Sequence, residues 1–317
     1  MTGASGFVGG HLIEALLADG WTVRCLVRRE SNTRWIPKDR VEIFHGDVGT
    51  ESTLPDAVRG VDAVFHLAAI TSARDPADYA RINAGGTRSV IEAMQATAPG
   101  AMLVLCSSQS AAGPSREGRP ITEADTPRPI GPYGESKLAA EQLVIASNLK
   151  HIIIRPPAVY GPRDVDILFA FRLASAGIAV RVSSRGQKLS MIHVRDLAAG
   201  LVVAASAEHA RGVYYMSGGT YAWEEIVQGI GAAVGRRARI IVLPRPLVLA
   251  TSWGNRLVAR IIHAKPLLTP ERVLDMVQPD WSCDDSRARR EIGYESSIPL
   301  DEGLAETAAW YRQAGWL

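Results

Sequence analysis

Residues 1–20 read MTGASGFVGGHLIEALLADG. Gly3, Gly6 and Gly9 lie three apart and run into apolar residues at helical spacing that stop at Gly20. This is the pattern of a tight turn feeding a helix N-terminus, where backbone N–H groups and the helix dipole can hold a phosphate. Such a turn hangs from the end of a buried parallel strand, yet only Met1 stands where that strand is expected.

Outward from the loop, short apolar runs alternate with helical segments. WTVRCLVRR, VEIFHGDV, VDAVFHLAA, AMLVLCSS and HIIIRPPAVYG read as strands. DPADYARINAGGTRSVIEAMQATA and GPYGESKLAAEQLVIASN read as helices between them. The alternation predicts an α/β protein with a doubly wound, Rossmann-type parallel sheet over residues 1–160. Over 161–317 the rhythm changes. A helix, a polar hairpin-like stretch (VRVSSRGQKLSMIHV), a second helix, the strand GVYYMSG and a helical tail predict a smaller, mostly helical substrate lobe. Some of its segments are expected to return to the sheet.

Composition narrows the function. The 35 Lys and Arg against 33 Asp and Glu, with no long basic run, give no reason to expect nucleic acid. Three cysteines, far apart and outside any CxxC spacing, argue against a disulfide framework and a zinc site and suit a reducing cytoplasm. No metal site is expected. No stretch reaches the length of a membrane span, since IIVLPRPLVLATSWGNRLVARIIHA is broken by prolines and arginines. It reads as a strand and a helix packed on the body, with peripheral membrane contact as the alternative.

The loop gains meaning from the strand that follows it. An acid at that strand's end would hold both hydroxyls of an adenosine ribose and indicate NAD; an arginine would pair with a 2′-phosphate. The chain has Val27 there, then Arg28 and Arg29, which favours NADP(H) while leaving NAD(H) open. Asp47, in HGDV, ends the next strand, and Leu67, Ala68 and Ala69 follow His66 with small side chains that leave room for a cofactor. His66 itself reads as a packed histidine. In PYGESK, Tyr133 and Lys137 stand four apart on one helix face. A lysine ammonium, together with a positively charged nicotinamide, can lower a phenol toward the working range of a proton donor and acceptor. Ser107 and Ser108 end the strand AMLVLCSS, at the sheet edge where α/β folds bind ligands. A serine there can donate to a substrate carbonyl.

In this order, TGASGFVGGHL, GDV, HLAA, NAGGT, SSQSAAG, YGESK, RPPAVYGPRD and IHVRDLA resemble the extended short-chain dehydrogenase/reductase family, also described as the NAD-dependent epimerase/dehydratase family. The resemblance covers nearly the whole chain. It implies Ser108, Tyr133 and Lys137 as a catalytic triad, with Asn83 supporting the site at a helix bend. It implies cofactor contacts from Gly3, Ser5, Gly6, Phe7, Val8, Gly9, Arg28, Asp47, Val48, Leu67, Ala68, Ala69 and Pro156, joined by Tyr133 and Lys137. Family members carry Val-Thr-Gly before the loop, so Met1 in place of Val raises the expectation of a start codon misassigned within a longer strand.

Within the family, dehydratases carry an acid pair where this chain has Gln109 and Ser110, and many sugar-nucleotide epimerases carry an asparagine where it has Ala158. RPPAVYGPRD and WSCDDSRARREIGY look more like the 3β-hydroxysteroid dehydrogenase and dihydroflavonol reductase branch. The expected activity is reversible hydride transfer between the cofactor and a secondary alcohol or ketone on an apolar small molecule. The alternative is a nucleotide-sugar epimerase with tightly bound NAD, in which Arg163, Arg185 and Lys188 would meet a diphosphate. A second alternative is a non-catalytic NADP-binding regulator. The family's pairing through two helices makes a homodimer an expectation that KLAAEQLVIA permits.

Overall fold

The computed structural model describes all residues except 51–52, 74, 117, 183–185, 208 and 262–269, and also leaves the side chains of 256–261 and 270–271 undescribed. The first half alternates as its apolar runs require. It comprises α1 (Phe7–Ala18), β1 (Arg24–Val27), β2 (Glu42–His45), α2 (Leu54–Val58), β3 (Ala63–His66), α3 (Pro76–Tyr79), a π-turn (Ala80–Ala84), α4 (Gly85–Thr97), β4 (Met102–Cys106), α5 (Pro132–Ala146) and β5 (His151–Arg155). The second half contains β6 (Ala158–Tyr160), α6 (Leu168–Ser175), β7 (Ile178–Arg181), β8 (Lys188–His193), α7 (Val194–Ser206), β9 (Gly212–Tyr215), β10 (Gly219–Ala222), α8 (Trp223–Val234), β11 (Arg239–Val242), α9 (Arg245–Ile261), α10 (Pro270–Met276), β12 (Asp280–Trp281), α11 (Ser286–Ile292) and α12 (Leu300–Gln313).

Strands β3, β4, β5 and β9 lie side by side in that order, all parallel. Successive residues of a strand point to opposite faces, and here both faces are covered. Met102, Val104, Ile152 and Ile154 enter the core shared with Leu12 and Ile13 of α1 and Leu197 and Leu201 of α7. Leu103, Leu105 and Ile153 enter the other, with Val90 and Met94 of α4 and Val144 of α5. Burial on both faces explains why these strands read as unbroken apolar runs. The strand β9, from the second half, completes this sheet.

β1 and β2 pair in parallel. Met1 and Thr2 sit in the lane between β1 and β3: Leu26 N–H donates to Met1 O at 2.9 Å, and Thr2 N–H donates to Phe65 O at 2.9 Å. The rest of that lane is an open groove lined by residues of both strands together with Leu16, Leu54 and Val90.

Two expectations are corrected. HIIIRPPAVYG is not one strand: Pro156 and Pro157 lack ladder donors and divide it into β5, in the large sheet, and β6, which pairs with β8. The hairpin-like stretch is not a hairpin either. β7 pairs with β11, whereas β8 is the centre of a second sheet with β10, β12 and β6. The exposed groups of β8 find three separate partners, so local pairing with β7 is not needed. The chain crosses between the two sheets three times, from β5 to β6 through Pro156–Pro157, from β8 back to β9 through α7, and from β9 to β10 through residues 216–218.

Candidate active site

The glycine loop closes on the loop after β3. Gly3 has φ +71°, and a Cβ there would stand 2.7 Å from the Leu67 carbonyl carbon; one on Gly9 would stand 2.1 Å from Gly3 O. No other residue fits either position without moving backbone. The start of α1 faces a groove lined by Gly3, Ser5, Gly6, Arg28, Asp47, Val48, Leu67, Ala68 and Ala69, all anticipated from sequence. Thr2, Ser31, Ile70 and Ile82 also line it and were not anticipated. Phe7 instead meets the His11 ring edge-on at 5.9 Å, and Val8 packs into the core. Gly9 lies behind the loop, and Pro156 turns its carbonyl to the Gln109 N–H at 2.9 Å. At the outer end of the groove Arg28 is 58% exposed, 3.3 Å from Glu30 and 3.9 Å from Asp47. Asp47 accepts from Gly49 N–H at 2.8 Å. Small residues, a helix N-terminus and a terminal arginine fit an extended dinucleotide.

His66, between this groove and the sheet, is fully hydrogen-bonded. Thr2 Oγ1 lies 2.7 Å from Nδ1 and Thr87 Oγ1 lies 3.0 Å from Nε2. Thr87 donates to Asn83 O, and Thr2 accepts from Ala68 N–H. These roles require a neutral imidazole that donates from Nε2 and accepts at Nδ1. Burial pushes its pKa down to about 3. It is a packed histidine.

Beside the groove the chemistry-bearing residues gather. Pro132 opens α5 at its first turn, which leaves Tyr133 at the helix start with Lys137 one turn later. Ser108 follows β4 and caps the short turn Gln109–Ala111 by accepting from Ser110 N–H at 3.1 Å. Its hydroxyl lies close enough to the Tyr133 phenol to influence its titration. Burial pushes that phenol up to about 12, with the Ser108 hydroxyl opposing. Desolvation disfavours the phenolate and is the largest influence on this group. Lys137 is buried, its ammonium donates to Cys106 O at 2.7 Å, and burial lowers its pKa.

Asn83 sits in the π-turn, a bulge that rotates its side chain out of the helix ladder. Its amide brackets Ile70, accepting from Ile70 N–H at 2.8 Å and donating to Ile70 O at 3.1 Å. The same amide nitrogen donates to Ser136 Oγ, which donates to Tyr133 O. Asn83 therefore ties the groove wall to the helix that carries Tyr133.

One pair escaped the sequence reading. Glu141, a further turn along α5 from Lys137, is bonded to Arg155 at the end of β5, and both are buried. Glu141 also accepts from Ser107 Oγ at 2.5 Å, and Arg155 donates to Tyr215 Oη at 3.2 Å. The spacing of Tyr133, Lys137 and Glu141 at successive fours was the available signal.

Next to Ser108 a second pocket opens, walled by Pro157, Ala158, Leu189, Met276 and Trp281, with Gln109, Gln187, Ser190 and Asp275 as its polar groups. Lysine and arginine are absent from its described lining. Of the cations considered for a diphosphate, Arg163 is held elsewhere, bonded to Glu14 at 2.6 Å and stacked 4.7 Å from the Trp35 ring. Lys188 is exposed and outside the pocket wall, and Arg185 lies outside the described residues.

A parallel α/β sheet whose glycine turn faces one groove, beside a Ser–Tyr–Lys cluster and a second pocket, defines a dinucleotide-dependent enzyme class. The model of the NAD dependent epimerase/dehydratase family matches residues 1–216, and the chain belongs to that family. It is 34% identical to a ceramide reductase of Caulobacter vibrioides, covering 100% of this chain and 95% of that one. It is 29% identical to a 3 beta-hydroxysteroid dehydrogenase/Delta 5-->4-isomerase of Mycobacterium tuberculosis, covering 98% and 89%. Among solved structures it is similar to MoeE5 in complex with UDP-glucuronic acid and NAD, with TM-score 0.76, 26% identity and coverage of 99% and 98%. The two relatives are thus named a reductase and a dehydrogenase, whereas the solved structure holds a nucleotide sugar and NAD.

Proposed function

We propose that the chain is an NADP(H)-dependent ketone reductase and alcohol dehydrogenase acting on a long-chain lipid carbonyl of the ceramide type. The observation that carries this reading is the pocket beside Ser108, whose walls are apolar and whose described lining has no cation to meet a diphosphate. The 34% identity to a ceramide reductase across the full chain supports the same class of substrate.

The groove residues Gly3, Ser5, Gly6, Asp47 and Ala68 would hold the nucleotide, with Arg28 reading a 2′-phosphate. When bound, the nicotinamide supplies or accepts the hydride. The chain supplies the proton. A phenol held near pKa 12 is protonated at neutral pH, so Tyr133 is ready to donate its proton to the carbonyl oxygen as the alcohol forms. Ser108 donates a hydrogen bond to the same oxygen and stabilises the charge that develops there. Lys137, fixed to the Cys106 carbonyl, keeps its remaining N–H donors for a ribose hydroxyl.

A cytoplasmic location accords with three free cysteines, and no described helix is long and apolar enough to cross a membrane. Pairing of two copies through α4 and α5 would cover Ile145, which is 53% exposed on α5.

The reading is tested by following NADPH consumption with long-chain keto-lipids dispersed in detergent. Tyr133→Phe should lower turnover by about 10²–10⁴-fold with nucleotide binding retained. Turnover that survives Tyr133→Phe overturns it. So does interconversion of nucleotide sugars by protein carrying NAD through purification.

A further inference from the structure

Residues 226–270 hold seven of the chain's 35 basic residues and none of its 33 acidic ones. Within this segment β11 is an edge strand: it pairs with β7 alone among the described strands. All four of its residues are exposed, including Ile240, Ile241 and Val242, at 39%, 39% and 56%. Helix α9 then turns Leu247 and Trp253 outward, at 53% and 62%, while Val248 and Ser252 face the body. An exposed aliphatic edge strand invites further association, and a contiguous apolar patch on a protein surface marks an interaction site. Arg236, Arg237, Arg239 and Arg245 are exposed along the same patch.

We propose that β11 and the first turns of α9 form a docking surface for an anionic phospholipid bilayer. Aliphatic side chains and a tryptophan interleaved with arginines suit the interface of such a membrane, where apolar groups enter the acyl boundary and cations meet headgroup phosphates. A second copy of the chain is the poorer occupant, because two such faces would set the four exposed arginines against four more. Two packed helices also link this surface to the pocket beside Ser108. Helix α9 packs on α10, and Met276 at the end of α10 is 44% exposed and lines the pocket beside Ser108. Docking on a bilayer would bring the enzyme to a lipid substrate, which is where this inference rests on the proposed function.

The test is co-sedimentation of the purified full chain with vesicles. Binding is expected to phosphatidylcholine vesicles holding about 30% phosphatidylglycerol. It should be at least about tenfold weaker on pure phosphatidylcholine and should weaken as salt rises from about 0.1 to about 0.5 M. Ile241→Glu with Val242→Glu should weaken binding at least about tenfold, and Arg237→Gln with Arg239→Gln about fivefold or more per arginine. Circular dichroism and NADPH binding, unchanged in these variants, exclude misfolding. Absence of binding to the anionic vesicles overturns the proposal, as does equal binding by the glutamate variant. A dimer that this variant dissolves, without vesicle binding by either protein, assigns the face to a second copy. Vesicle binding needs no turnover: its loss with ketone reduction intact overturns the docking surface alone. Vesicle binding without ketone reduction overturns the proposed reaction alone.

Discussion

Arg155 donates to both oxygens of the Glu141 carboxylate, Nε at 2.9 Å and Nη2 at 2.6 Å, and the two side chains are 4% and 1% exposed. A buried pair of this kind need not add net stability, but breaking it strands a charge in the interior. Glu141→Gln should therefore cost about 3–5 kcal/mol in urea unfolding, and the paired change Glu141→Leu with Arg155→Met should cost less than its two single changes summed. A loss under about 1 kcal/mol for Glu141→Gln would show that the guanidinium finds water or another partner.

Arg28 is the residue on which cofactor choice turns. Charge-assisted bonds to a phosphate are worth about 1.5–3 kcal/mol each, so Arg28→Ala should weaken NADPH binding about 10–100-fold and leave NADH nearly unchanged. Fluorescence titration with both nucleotides checks this. Equal weakening of both would mean that Arg28 shapes the groove rather than reads the 2′ position.

Asn83 makes its case through a backbone signal. Its side chain holds both the N–H and the C=O of Ile70. Asn83→Ala should destabilise the fold by about 1–3 kcal/mol and speed hydrogen exchange at the Ile70 amide more than at the sheet amides. Unchanged protection at Ile70 would sink the clamp.

Asp164 supplies a test in pH. Burial raises its carboxyl from 3.8 to about 7, so between those values the folded chain holds a proton that the unfolded chain releases. Stability from this group consequently falls as pH rises through that window. Asp164→Asn keeps the acceptor for the Asp166 N–H, now at 2.8 Å, and removes the charge. The variant should exceed the parent by about 2–4 kcal/mol at pH 8, with the gap closing toward pH 4. Buried histidines titrate in both proteins and cancel from the difference. A gap independent of pH, measured by thermal unfolding, would contradict the assignment.

Much of the fold was legible because it obeys local rules. Gly3, Gly6 and Gly9 announce the turn, the apolar runs of β3, β4 and β5 announce a sheet buried on both faces, and Tyr133 and Lys137 share a helix face by spacing alone. The second sheet was not legible, since β8 draws its partners from β6, β10 and β12, whose pairing leaves no periodic trace in any one segment. The pocket wall failed for the same reason: Pro157, Leu189, Met276 and Trp281 meet only after folding. The burial that raises the Tyr133 phenol was not legible, because charge spacing is visible in sequence and desolvation is not.

The three crossings between the sheets carry a consequence for rigidity. Pro156–Pro157 leaves β5, residues 216–218 leave the neighbouring strand β9, and α7 carries the chain back from β8 to β9. The proline pair stiffens the first connection. In the second, Met216 and Ser217 are buried, and Gly218 N–H donates to Met191 O at 2.7 Å. The pocket wall is thus fastened to the nucleotide half at three places, which holds it in register with Ser108.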